Sequence, residues 1–278
     1  GYLTRWLGLG NEQTYCGLNG WLFYRPDVEY LLEPGFLDRK RLARRMESAG
    51  EWQRTPQPDP LKAMVHFYEQ LRQRNIELLV MPIPPKSALQ SDKFVSDYME
   101  GTTILHNYSW KIWMESLRQA GVPVLDMSQA LAELQDHGDL YLQTDTHWRP
   151  ETMQRVAELC LNFIQEHMSL PPVSDPGYTS RIEEVRNIGD LVRMLQLPEN
   201  QTLYLPETVA IQQVLQPNNE LWRADPNADV LVLGDSFCNI YSLDSLGWGE
   251  AAGFIEQLSL LWQRPLDRMA INDNGAYA

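Results

Sequence analysis

Apolar residues recur at helical spacing in four stretches of the 278-residue chain. After Pro60, Leu61, Met64, Val65, Tyr68 and Leu71 share one face of a helix running to about Arg74. A second amphipathic stretch covers residues 109–120, and Gly121 stops it. A third opens at Pro150, which suits the first turn of a helix, and turns Met153, Val156, Cys160 and Phe163 inward. A fourth spans residues 254–263. Between and after them lie short apolar runs that read as buried strands: residues 77–81, halted by Pro82, Pro84 and Pro85, then 122–125, 229–233 and 266–271. Alternation of this kind predicts an α/β fold, a mostly parallel sheet with helices on both faces.

Two segments break the rhythm. Residues 175–225 are rich in Pro, Asn and Gln and read as an inserted, cap-like excursion over one end of the sheet. Residues 1–57 read as an N-terminal addition in which Trp21-Leu-Phe-Tyr24 forms a strand or a packing anchor. The expectation is a single catalytic domain over residues 1–278 that carries both additions.

Composition narrows the class. With 44% hydrophobic and 22% charged residues the chain can bury a core. No apolar run reaches the length of about 18 residues that a membrane helix needs. The net charge of −14 argues against a nucleic-acid partner, which calls for many phosphate-neutralising cations. One basic run departs from that trend, Arg39-Lys40-Arg41 with Arg44-Arg45. It reads as a solvated helix face or, more sharply, as a local patch for an acidic polymer. Three cysteines are too few and too scattered for a disulfide framework or a zinc site. Cys160 belongs on the inner side of its helix, and Cys16 with Cys238 is a pairing open only to an exported protein. The chain opens at Gly1 with no charged-then-apolar leader, which leaves the compartment open.

The chemistry concentrates at Gly234-Asp235-Ser236-Phe237. Ser236 stands three residues past the apolar run ending at Leu233, at the carboxyl end of an expected strand, where open parallel sheets bind ligands. Gly234 permits a sharp turn there, and backbone N–H groups at the start of the next helix can hold an oxyanion. A serine hydroxyl needs a base within hydrogen-bond reach. Of the five histidines, His66 and His167 sit on helices, and His106 and His137 in polar loops. His147 has Asp145 two residues before it as an orienter and Trp148 beside it as a wall. Further metal ligands at metal-like spacing are missing from that stretch. Lys86 reads as lining the cleft or, more readily, as solvated; Asn239 and Tyr241 follow Ser236 by about one turn as substrate-contact candidates, Asn239 equally as a local cap or packing residue.

At these motifs the chain resembles the SGNH-hydrolase-like domain of bacterial polysaccharide O-acetyltransferases, the AlgJ/AlgX type of alginate O-acetylation, and more nearly the AlgJ branch. The resemblance is carried by Gly20-Trp-Leu-Phe-Tyr24, Val80-Met-Pro-Ile-Pro-Pro-Lys86, Asp145-Thr-His-Trp148, Gly189-Asp-Leu191 with Met194-Leu195, Gly234-Asp-Ser-Phe237 and Ile271-Asn-Asp273. It implies a three-layer α/β/α, flavodoxin-like fold whose motif order is circularly permuted. It implies a Ser236–His147–Asp145 triad without cofactor or metal, and an acetyl-serine intermediate. It implies oxyanion donors from the Ser236 N–H and from Asn274 or Gly275. The partners implied are a polysaccharide acceptor, a membrane-bound acyltransferase that delivers acetyl groups, and other polysaccharide-assembly proteins, all in the periplasm. A carbohydrate acetylesterase and a non-catalytic polysaccharide-binding assembly subunit are the competing readings.

Overall fold

The computed structural model describes residues 10–48, 57–95 and 104–272. Strand β1 (Thr14–Cys16) pairs antiparallel with β2 (Leu22–Tyr24), and Trp21, Leu22 and Phe23 are buried, so the expected N-terminal anchor is both strand and packing element. Helix α1 (Arg25–Leu32) follows directly, with a proline in its first turn. The basic run forms α2 (Arg39–Ser48), on which Arg39, Lys40 and Arg44 are exposed.

The next helices follow from local patterning. Asp59 caps α3 (Pro60–Arg72) by accepting from the Leu61 and Lys62 amides. The one-turn helix α4 (Lys86–Leu89) is entirely buried. Helix α5 (Trp110–Gln119) turns Met114 and Leu117 onto Val122 and Val124, and Leu61, Met64 and Val65 of α3 close that small core. Helix α6 (Ser128–Leu134) precedes α7 (Pro150–His167), which starts at Pro150 as its sequence predicts. Met153, Val156 and Cys160 of α7 are buried as expected, but Phe163 is only half-buried and packs edge-on against His167. Ile164 takes the inward place, because four residues on from Cys160 stays nearer the centre of the stripe than three.

The segment read as an inserted, cap-like excursion contains a regular antiparallel ribbon, β3 (Thr179–Asn187) with β4 (Glu207–Leu215), in register from Thr179 opposite Leu215 to Asn187 opposite Glu207. Strand β4 buries Val209, Ile211 and Val214, whereas most of β3 is exposed. The short helix α8 (Asp190–Met194) lies between the two strands.

Strand β5 (Leu231–Gly234) leads into the one-turn helix α9 (Ser236–Asn239). Helix α10 (Phe254–Trp262) packs along α7 and β4, placing Ile255 and Leu258 in the main core. Strand β6 (Asp267–Ala270) pairs parallel with β5, Leu231 opposite Asp267 and Gly234 opposite Ala270. A parallel bridge also joins Val80 to Val124. Among the described residues the ladders form three two-stranded pairs and three isolated bridges, that one and the antiparallel Tyr141–Trp148 and Leu215–Leu221, and they do not join into one broad parallel sheet. The prolines after Met81 remove ladder donors, which ends that strand early. The β5 run also differs from the two-sided burial expected of it. Val230 and Val232 turn to the core, while Leu231 and Leu233 are 49% and 53% exposed. Cys16, Cys160 and Cys238 are free thiols, so the Cys16–Cys238 pairing does not form.

One glycine fixes how α8 meets the loop before α7. Gly189 adopts φ +80, and a Cβ there would lie 2.3 Å from the Thr144 carbonyl oxygen. Gly189→Ala is expected to cost about 1–3 kcal/mol from the backbone conformation alone, with the collision adding to it. Urea unfolding checks this, and an unchanged midpoint would contradict it.

Candidate active site

Asp145 and His147 lie in a loop between Tyr141 and Trp148, which pair across an antiparallel bridge. The loop is too irregular to satisfy its own backbone, and buried amides and carbonyls demand partners. They come from distant parts of the chain. Leu22 N donates to the Gln143 carbonyl at 3.0 Å. Glu207, at the start of β4, accepts from the Gln143 and Thr144 amides at 3.1 and 2.9 Å. Asp190 accepts from Thr146 N at 2.8 Å. Lys86 Nζ donates to the carbonyls of Leu142, Gln143 and Asp145 at 2.7, 2.9 and 3.0 Å.

The Asp145 carboxylate is 1% exposed at the residue level and receives four N–H donors. Oδ1 accepts from His147 Nδ1 at 2.7 Å and from His147 N at 3.1 Å. Oδ2 accepts from Trp248 Nε1 at 2.9 Å and from Asp190 N at 3.0 Å. Burial alone would raise the Asp145 pKa, but the His147, Trp248 and Asp190 interactions outweigh it and hold the pKa at about 2. An ionised carboxylate only accepts, so Nδ1 of His147 carries its proton toward Asp145. Nε2 is then the basic nitrogen of the neutral ring. It is buried and has no hydrogen-bond partner among the described residues. For His147, burial lowers the pKa, but the hydrogen bond and charge of Asp145, with Asp190 and Asp235 adding to them, leave it above the ordinary value.

Ser236 is the first residue of α9 and is half-buried. Asp235 before it is extended and caps α9 by accepting from Phe237 N at 2.9 Å. Gly234 does not need a left-handed conformation. Its missing side chain leaves room for Cys238, whose sulfur would lie 2.4 Å from a Cβ there. One neighbour of the serine packs on the imidazole, the Phe237 ring centroid being 4.9 Å from that of His147, and the charge of the other, Asp235, also reaches it. The structure thus joins Asp145 to His147 directly and brings the Gly-Asp-Ser-Phe turn against the imidazole, without a hydrogen bond from Ser236 to Nε2.

The remaining sequence candidates divide clearly. Trp148 is buried with its ring 5.3 Å from Phe237, so it backs the site. Tyr241 has no exposed surface, and its hydroxyl donates to the Trp148 carbonyl at 2.7 Å, tying the chain after α9 to the Asp145–His147 loop. Asn239 donates to Ala270 O and Asn272 Oδ1, which fastens α9 to the end of β6. Asn274 and Gly275 lie outside the described residues.

Lys86 overturns its expected solvation. It is 1% exposed, and burial pushes its pKa down to about 7 against the pull of Asp145, Glu207, Asp190 and Asp27. Asp190 and Trp248, both hydrogen-bonded to Asp145, were not among the sequence candidates. Gly189-Asp190 at a helix start was a usable signal for the first, and no local pattern marks the second. Ligand atoms of Asp145, His147 and Asp190 lie within 4.8 Å of one another, as a metal site would require, but the N–H donors already named occupy both Asp145 oxygens. Asp27, whose charge also reaches His147, lines a 180 Å³ cleft with Tyr30, Pro84, Pro85, His106 and Trp110. Burial raises the Asp27 pKa to about 6, opposed by His147 and Lys86.

Comparison with known proteins places this geometry. Residues 15–272 match the family described as SGNH hydrolase-like domain, acetyltransferase AlgX. The probable alginate O-acetylase AlgJ of Pseudomonas aeruginosa is 29% identical over 145 residues, 52% of this chain and 36% of that protein. Its counterpart in Azotobacter vinelandii is 25% identical over 153 residues, 55% of this chain and 36% of that protein. Both matches therefore span about a third of those relatives' length. Among solved structures, the O-acetyltransferase domain of Pseudomonas putida AlgJ superposes with a TM-score of 0.67 at 16% identity, over 95% of this chain and 81% of that one. Pseudomonas aeruginosa AlgX superposes with a TM-score of 0.62 at 17% identity, over 98% of this chain and 57% of that one. With its match running from β1 to the end of β6, the chain belongs to the AlgX acetyltransferase family of SGNH-hydrolase-like domains, on the side nearer AlgJ.

Proposed function

We propose that this chain is a polysaccharide O-acetyltransferase that carries the acetyl group on Ser236, with alginate or a similar bacterial exopolysaccharide as acceptor. The observation that carries the reading is the imidazole of His147. Asp145 fixes its tautomer, and Nε2 is buried, unpartnered and set against the Gly-Asp-Ser-Phe turn. In the first step Nε2 takes the Ser236 hydroxyl proton as Oγ attacks the acetyl carbonyl of the donor. The tetrahedral intermediate collapses, and the donor's leaving oxygen departs with that proton. In the second step a sugar hydroxyl gives its proton to Nε2 and attacks the acetyl-serine carbonyl, and the proton returns to Ser236 as the new ester leaves. Asp145 stays ionised throughout and stabilises the imidazolium that forms in each step. The Ser236 N–H is the proposed first oxyanion donor, with Asn274 or Gly275 as the second. With Asp145 and His147 preceding the serine, the triad has the permuted order that the resemblance implies.

The relatives' printed names supply the acetyl group and alginate in this reading. The cleft beside Asp27, with Tyr30, His106 and Trp110 in its walls, is the proposed berth for a sugar ring. A chain of net charge −14 repels a polyanion at long range, and the exposed cations of α2 offer a local surface of the opposite sign. A membrane-bound acyltransferase as acetyl source and a periplasmic location complete the proposal. No described helix is long and apolar enough to cross a membrane.

Transfer of acetyl from a chromogenic acetyl ester to an oligosaccharide tests the assignment. Ser236→Ala is expected to abolish it, and Asp145→Asn to lower kcat by about 10⁴-fold through the wrong imidazole tautomer. Full activity in Ser236→Ala would remove the nucleophile from the account.

The pH profile gives a second check. The base must be neutral, and the pKa of His147 lies above its ordinary 6.5. Raising a base's pKa moves its acid limb upward, so kcat/KM is expected to climb through a midpoint above pH 6.5 and to fall away below it. A flat profile down to pH 5 would contradict the assignment of His147.

A further inference from the structure

Lys86 carries a consequence beyond the triad. A lysine is rarely buried without a carboxylate partner, because removing an ammonium from water is costly. Here its nearest partners are three carbonyls, those of Leu142, Gln143 and Asp145. An ammonium has three N–H donors, and a neutral amine has only two. The three-carbonyl arrangement therefore uses the charged form completely. The rings of Trp21 and Phe23 close the other side, with Nζ 4.9 and 5.2 Å from their centroids, a geometry that also favours a cation. The carboxylates of Asp145, Glu207, Asp190 and Asp27 act on it through space.

Three sequence motifs meet at this one atom. Trp21 and Phe23 come from β2 and its preceding residue, Lys86 from the end of the proline run, and the carbonyls from the loop that bears Asp145 and His147. One carbonyl belongs to Asp145 itself, so the position of Nζ sets where that residue's backbone sits. Its carboxylate must then meet Nδ1 at 2.7 Å.

We infer that Lys86 is a positioning residue for acyl transfer: its sealed Nζ, hydrogen-bonded to three carbonyls, holds the backbone of residues 142–145 so that the Asp145 carboxylate orients the His147 imidazole. The inference rests on the reading of Asp145 and His147 as the orienter and base of Ser236. Lys86 touches no substrate, being 1% exposed. Its loss should therefore act on turnover and not on binding.

The test uses the full chain with Lys86→Met, which keeps the length of the side chain and removes the donors and the charge. The Lys86→Arg chain, which retains both, is its companion. His147→Ala is the reference for the underlying reading. Three quantities are measured on folded protein: the rate at which a fluorophosphonate labels Ser236, kcat and KM with a chromogenic acetyl ester, and the low-field proton resonance of His147 Nδ1–H. A displacement of about an ångström at a catalytic group can cost about 100-fold. In Lys86→Met, labelling and kcat are expected to fall by about that factor with KM unchanged, and the Nδ1–H resonance to move upfield or vanish. Lys86→Arg is expected to recover part of the labelling rate. A folded Lys86→Met chain with wild-type labelling and an unmoved resonance overturns the proposal. So does failure of both variants to fold, since Lys86 would then serve the fold and not the dyad. Undiminished labelling in His147→Ala would instead overturn the base assignment.

Discussion

Asp145 is a carboxylate taken almost wholly out of water, and that single choice constrains much of what surrounds it. An ion in that position must be met by donors in fixed places. Four N–H groups meet it: two from His147, one from Trp248 and one from Asp190. Each of the last two requires another segment to arrive. Trp248 is buried and comes from the stretch between α9 and α10, while Asp190 opens α8 behind a glycine that has no room for a side chain. The loop that presents Asp145 is in turn held by Glu207, Lys86 and Leu22. A folded loop, an oriented imidazole and an unpartnered, buried basic nitrogen on its far side are then consequences of satisfying one charge.

How far this was readable in advance depends on the range of the interaction. The amphipathic helices α3, α5, α7 and α10 were legible because helical period is local, and their starts at Pro60 and Pro150 fall where the sequence places them. Asp145 and His147 were legible for the same reason, since two residues of spacing suffice for the hydrogen bond between them. Trp248 was not, because it reaches Asp145 across 103 residues. Lys86 misled for a physical reason: lysine is ordinarily solvated, and its burial depends on carbonyls 56 to 59 residues away and on the rings of Trp21 and Phe23. The antiparallel pairing of β3 with β4 was hidden by a composition rich in turn formers, and its register is set by partners about thirty residues distant.

The parallel pair β5–β6 shows the limit of reading burial from apolar runs. A continuous run such as residues 230–233 suits a strand covered on both faces, yet only alternate residues of this one turn to the core. The part that bears on function is insensitive to this difference. Strand β5 still ends at Gly234, α9 still begins at Ser236, and Asn239 ties that turn to the end of β6. Likeness in fold to the AlgJ domain at 16% identity shows how little of the sequence a shared scaffold requires.

Acyl transfer through Ser236 requires a covalent acetyl-enzyme at the turn beside His147. The most direct measurement is intact-mass and peptide mass spectrometry of the protein quenched with acid after mixing with an acetyl donor in the absence of acceptor. One acetyl group is expected, on the peptide containing Ser236, discharged when oligosaccharide is added before the quench. Acetyl transfer to acceptor with no acetyl on Ser236 at any time, or with the group on another residue, would contradict it.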